Sequence, residues 1–232
     1  MSMPDASGGR NLKRMIQDVL RSERLDDCVE KLITLPGRQV INPLISLLLN
    51  KDPIVRWRSV MVIGEVLSSL ALHDLEGARI IMRRFMWSLN DESGGIGWGA
   101  PESMCVTISK SDILGREYGS IVISYLDPVG NFLEYEPLQR GLLWGICYLA
   151  KTRPDLVVNA KPHLGKYLES ADPHVRGLAT IAVKLLQMRG SLDKLLTLVS
   201  DKNEFLIYEH DSFRASTVGA SADEAIKSLK LN

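Results

Sequence analysis

The chain has 232 residues, 45% of them hydrophobic and 24% charged, with 28 basic and 28 acidic side chains. A chain this long buries a core readily, and its make-up is that of an ordinary globular protein. The balanced charge argues against a general polyanion binder, because nonspecific nucleic-acid affinity comes from a surplus of cations.

The charge is uneven along the chain. Residues 61–140 hold 6 basic and 11 acidic side chains, which favours a cationic, metallic or amide-rich partner over a phosphate backbone. Cys28, Cys105 and Cys147 lie far apart and form no C-x-x-C. They predict neither a disulfide framework nor a zinc site, and a reducing compartment is the default. No stretch approaches the roughly 18–20 apolar residues of a membrane span, and the first residues lack the apolar core of a signal peptide. The expectation is a cytoplasmic protein with no membrane insertion and no cofactor.

Residues 1–10 read as a tail. Leu12, Met15, Ile16, Val19 and Leu20 recur at helical spacing, as do Leu25, Cys28, Val29, Leu32 and Ile33, up to Pro36-Gly37. These two helices, 11–35, read as a cap over the first end of a repeat array. Asn42-Pro43 then opens a short helix that stops at Asp52-Pro53, and a longer helix carries Val55, Val60, Ile63, Val66, Leu67 and Leu70 inward. The design returns at Lys161-Pro162, stops at Asp172-Pro173, and continues with Val175, Leu178, Ala179, Ala182, Val183 and Leu186. The offset between Asp52 and Asp172 is 120 residues, or three units of about 40, a HEAT-like period. The expected fold is all-α: an α-α superhelix, a HEAT/armadillo-like solenoid of about five helical-hairpin repeats over about 36–218. It has an N-terminal cap, a C-terminal helical segment at 219–232 and no sheet beyond stray pairs.

Asp91, Asp127 and Asp201 mark the remaining turns. Aspartate before a first-turn proline can cap free N–H groups. Arginine recurs three residues after proline at Arg56, Arg140 and Arg176. A ladder in which each turn aspartate reaches an arginine of a neighbouring unit accounts for both recurrences.

The runs D-P-I-V-R-W-R-S-V-M-V-I-G-E at 52–65 and A-D-P-H-V-R-G-L-A-T-I-A at 171–182 resemble the HEAT-repeat family, specifically its phycobilisome-lyase-like subclass, over about 40–215. The runs at 87–102 and 131–141 are similar to a narrower group of bacterial HEAT-repeat proteins. That likeness implies a dedicated loop site and supplies no reaction.

In two units the interval from turn aspartate to aligned arginine is 4 residues. At 91–104, 127–140 and 201–214 the matching interval is 13. Two of these enlarged turns share a pattern, Phe132-Leu133-x-Tyr135-Glu136 and Phe205-Leu206-x-Tyr208-Glu209. The first is different, with Gly94, Gly95, Gly97 and Gly99 around Trp98. Those glycines either fold Ile96 and Trp98 back onto the helices or present N–H groups to a ligand. No G-K-[ST] follows and no strand precedes, so neither a Walker A loop nor a dinucleotide fingerprint is present. Trp87 and Trp144 read as packing residues. Glu209-His210-Asp211 has a metal-like composition, but three consecutive side chains cannot converge on one ion from a regular element. Cys105 reads as a buried small hydrophobe rather than a nucleophile.

The leading reading is a non-enzymatic interaction or adaptor module that binds another protein. Its edge comprises Trp98, Glu102, Gly95, Gly97, Phe132, Glu134, Tyr135 and Glu136, with Asp52, Arg56, Asp91, Asp127, Arg140, Asp172 and Arg176 as structural turn residues. No catalytic or metal-binding residue is assigned. Two other readings stand beside it: a HEAT-like glycosylase for alkylated bases, and a bilin-lyase-like small-molecule role.

Overall fold

The computed structural model describes residues 6–90 and 97–231, with side chains from residue 9. Asp91 and Gly95 therefore lie outside the described residues. The described chain is helical except for one hairpin, and it divides into two compact units, the first reaching Leu114 and the second starting at Gly115.

In the first unit, α1 (Ala6–Ser22) and α2 (Leu25–Ile33) form the cap, followed by α3 (Gly37–Leu47), α4 (Pro53–His73), α5 (Leu75–Leu89) and α6 (Ala100–Lys110). The unit is built on α4, which packs against all five of the others. Its residues explain that position. Val55, Val60, Val62, Ile63, Val66 and Leu67 are all buried, so apolar side chains leave α4 on more than one face, as a helix enclosed by neighbours requires. The Asp52 side chain accepts from Ile54 N at 3.0 Å, and Pro53 occupies the first turn where no N–H is needed.

In the second unit, α7 (Asp112–Ser124, most of which lies past the boundary) leads through a turn into α8 (Glu136–Thr152). Short 3-10 turns surround the single-turn α9 (Lys161–Leu164), and α10 (Pro173–Leu185), α11 (Leu192–Leu198) and α12 (Val218–Leu231) complete the helices. Here α10 is central, packed on α8 and α12. Its Val175, Leu178, Ala179, Ala182 and Val183 are essentially without solvent contact.

Two sequence expectations are corrected. The third enlarged turn is a β-hairpin, β1 (Glu204–Glu209) paired antiparallel with β2 (Ser212–Thr217). His210 and Asp211 take positive φ, 48° and 59°, and make the two-residue turn that suits a twisted hairpin. The hairpin lies on α10, where Gly177 leaves room for the Phe205 ring: a Cβ there would stand 2.4 Å from Phe205 Cε1. Trp144 Nε1 donates to Tyr208 O at 3.0 Å, which ties the strand to α8. The second correction is Trp87, which is 84% exposed rather than packed, whereas Trp144 is buried. The exposed residues of α5 all lie on one face that includes Trp87.

Candidate interaction site

The second enlarged turn belongs to the second unit, and its backbone is held at several points. Asp127 Oδ1 accepts from Val129 N at 3.0 Å and Asp127 O from Gly130 N at 2.9 Å. Leu133 is buried, and its N–H donates to Tyr125 O at 3.2 Å. Gln139, on the first turn of α8, donates from Nε2 to Leu133 O at 2.8 Å and to Glu134 O at 3.4 Å. Buried Leu133 is the apolar foot that an ordered insert needs. The next three residues, Glu134, Tyr135 and Glu136, all face solvent, with Tyr135 46% exposed at the N-cap of α8. A tyrosine between two exposed carboxylates thus stands on a fixed turn.

Phe132 does something else. It is half-buried, and Lys166 Nζ lies 4.0 Å from its ring centre and 4.9 Å from that of Tyr167. Burial holds the Lys166 pKa below its usual value, against the pull of the Asp127 charge. The ring compensates for the water that this ammonium has lost. The Phe-Leu-x-Tyr-Glu likeness between the second and third turns does not carry over into burial. Leu133 is buried where the aligned Leu206 is exposed, and Tyr135 is exposed where Tyr208 is buried.

In the first unit, the described end of the glycine turn holds Gly97, Trp98 and Gly99. Gly97 is buried and Trp98 is 37% exposed. Gly99 has φ 75° and N-caps α6, a backbone conformation that a side chain would strain. Glu102 follows in the first turn. The residue is half-buried, but its Oε2 is shut off from solvent and has no hydrogen-bond partner. Burial pushes its pKa up to about 7, against its own backbone N–H and the charge of Arg56 on α4. The expected acidic contact residue is therefore an enclosed carboxyl that is only part-ionised at neutral pH. Cys105, one turn later, is buried with its thiol pKa raised by burial and by Glu102, so it is no nucleophile at neutral pH. Cys147 is likewise pushed up to about 12 by burial.

The turn aspartates separate into distinct roles. Arg140 donates from Nε to Asp172 Oδ2 at 2.8 Å, and its Nη2 contacts the same oxygen. Asp172 Oδ1 meanwhile caps α10 by accepting from His174 N and Val175 N. Arg176 reaches Asp201 Oδ2 from Nε at 3.0 Å and Nη2 at 2.7 Å, and its Nη1 donates to Ser170 O and Ala171 O. Asp127 faces His163 at 3.7 Å instead of an arginine, and Asp52 meets Arg21 of the cap at 3.4 Å. Among the described residues no group of three or more His, Cys, Asp and Glu side chains is placed to hold a metal ion, and no described helix is long and apolar enough to cross a membrane.

No protein-family model matches the chain, and no curated protein does. Solved structures match it over its whole length. An engineered protein gives a TM-score of 0.58 at 15% identity, covering 100% of this chain and 96% of its own. A designed armadillo repeat protein gives 0.56 at 17% identity, covering 98% and 96%. A second designed armadillo repeat protein, solved in complex with the peptide (KR)4, gives 0.58 at 19%, covering 98% and 95%. At such identities the likeness shows the fold: an all-α, helical-hairpin solenoid of the HEAT/armadillo kind.

Proposed function

We propose that the protein is a non-enzymatic interaction module that binds a basic or N–H-rich segment of another protein. One observation carries the reading: Glu134, Tyr135 and Glu136 stand exposed in succession on a turn whose backbone is clamped by Leu133 and Gln139. A clamped turn loses little entropy on binding. Tyrosine offers a large contact with few torsions to freeze, and the flanking carboxylates select positive charge. The chemistry agrees with the (KR)4 peptide held by the designed armadillo protein of the same fold. Trp98 and Glu102 form a second contact in this reading, argued on the first unit alone. There Trp98 supplies the exposed surface, and Glu102, part-ionised at neutral pH, becomes fully charged when a cation arrives to hold it ionised. The finer likeness to the phycobilisome-lyase-like subclass rests on the Asp-Pro runs at 52–65 and 171–182 and adds no ligand to this reading.

The test is a titration of labelled (KR)4 peptide by fluorescence anisotropy at ~0.1 M salt, with an acidic peptide of equal length as control. A Glu134→Gln, Tyr135→Ala, Glu136→Gln variant should bind (KR)4 roughly ten-fold more weakly, about what one lost aromatic contact and two rim charges are worth. Its melting temperature should not move. Equal binding of the two peptides by the wild type, or unchanged affinity in the triple variant, would refute the reading.

A further inference from the structure

The first unit carries two surfaces that the proposed contacts leave unused. One is a groove of about 430 Å³ between α2, α4 and the end of α6. Its floor is apolar: Leu25, Val29 and Ile33 follow one another at four-residue spacing along α2, and Met61 joins them from α4. Its rim is acidic. Glu65 is taken by Lys110 at 2.8 Å, and Asp26 has Arg24 at 3.9 Å in a fully exposed pair. Glu30 stands exposed on the rim, with no ion pair among the described residues. The sign of this rim repels nucleic acid and anionic lipid.

The other surface is the outer face of α5. The exposed residues of that helix are Glu76, Ile80, Arg83, Arg84 and Trp87, spaced by four, three, one and three, so they share one face. Ile80 is 53% and Trp87 84% exposed. Glu76 is occupied by Arg83 at 2.5 Å, while Arg84 donates to the neutral Asn42 Oδ1 at 2.7 Å and keeps its charge. Here two apolar anchors flank a cation.

We propose that the α5 face of one copy docks into the α2–α4 groove of a second copy, with Ile80 and Trp87 on the apolar floor and Arg84 against Glu30. The spans agree: seven residues from Ile80 to Trp87 and eight from Leu25 to Ile33 give about 10 and 12 Å along a helix. The charges are opposite, and each surface is otherwise an apolar patch left in water. Groove and ridge are different patches of one molecule, so the contact is heterologous and adds copies head to tail. It is small, so the dissociation constant falls in the range of roughly 10–100 μM.

Sedimentation velocity of the full chain from ~5 to ~500 μM tests this. The weight-average mass of the wild type should climb with concentration, and Trp87→Ala should weaken association at least about five-fold. Glu30→Arg and Arg84→Glu should each remain monomeric, since the first makes both surfaces basic and the second makes both acidic. An equimolar mixture of those two variants should associate again, because each then supplies what the other lacks, and that recovery also shows that both are folded. The proposal is overturned by a wild type that stays monomeric throughout, by a mixture of natively folded variants that stays monomeric, or by charge variants that associate like the wild type. A groove that captures a synthetic basic amphipathic helix while the chain stays monomeric would assign it to another partner and likewise overturn the self-contact.

Discussion

Replacing Glu102 by glutamine should stabilise the protein at alkaline pH and change little in acid. Glu102 sits in the first turn of α6 with Oε2 enclosed and unpartnered, and burial pushes its pKa from 4.5 to about 7. The folded state therefore holds the proton more tightly than the unfolded chain. Stability contributed by the neutral carboxyl is fully present below pH 4.5, declines as pH rises, and is lost above about 7. At about 1.4 kcal/mol per pH unit, the displacement corresponds to about 3 kcal/mol at pH 8. At pH 5 the same relation leaves under about 1 kcal/mol. Glutamine keeps the shape and cannot ionise, so Glu102→Gln should exceed the wild type by that amount. For a chain of this size the gain is roughly 6–12 °C in melting temperature at pH 8. Urea unfolding of both proteins at half-unit intervals from pH 4.5 to 8.5 measures it. Subtracting the two curves removes every other titrating group. A difference that stays flat across the range would show that the carboxyl is solvated and that its enclosure is not as described.

Arg176→Ala should cost about 2–4 kcal/mol, since it leaves Asp201 Oδ2 without its guanidinium and frees the Ser170 and Ala171 carbonyls together; a loss below about 1 kcal/mol in urea unfolding would contradict this. In acid the two bridged aspartates act together. Burial opposes the charge of Asp172 and of Asp201, but Arg140 with the Val175 and His174 N–H groups, and Asn203 with Arg176, outweigh it and hold both pKa values below 3.8. Their contribution is present above 3.8 and lost as pH falls through the lowered values, so an Asp172→Asn, Asp201→Asn variant should show a shallower loss of stability below pH 4 in an acid titration followed by circular dichroism. Ala182→Glu places a carboxylate where α10 has no solvent contact and should destabilise by more than about 3 kcal/mol; a thermal melt within about 2 °C of the wild type would show the site to be open.

The sequence by itself determined the helical class and the turns that act locally. A capping aspartate and a first-turn proline bond within two or three residues of themselves, so Asp52-Pro53 and Asp172-Pro173 could be read without knowing any neighbour. Inward residues such as Val55, Val175 and Ala182 followed from period alone. What lay beyond that reach depended on contacts distant in the chain. Glu204–Thr217 is a hairpin because Trp144, 64 residues away, hydrogen-bonds Tyr208, and because Gly177 opens α10 to Phe205; the repeat register alone pointed to a loop. Trp87 fits the helical period as well as any core residue, and only the packing of α4 and α6 on α5 turned its face outward. The shared leucine and tyrosine of 132–136 and 205–209 took opposite burial because one run enters a helix and the other lies in a strand. Periodicity states which side chains share a face, but which face meets solvent depends on how neighbouring elements pack, so tertiary structure alone decided it.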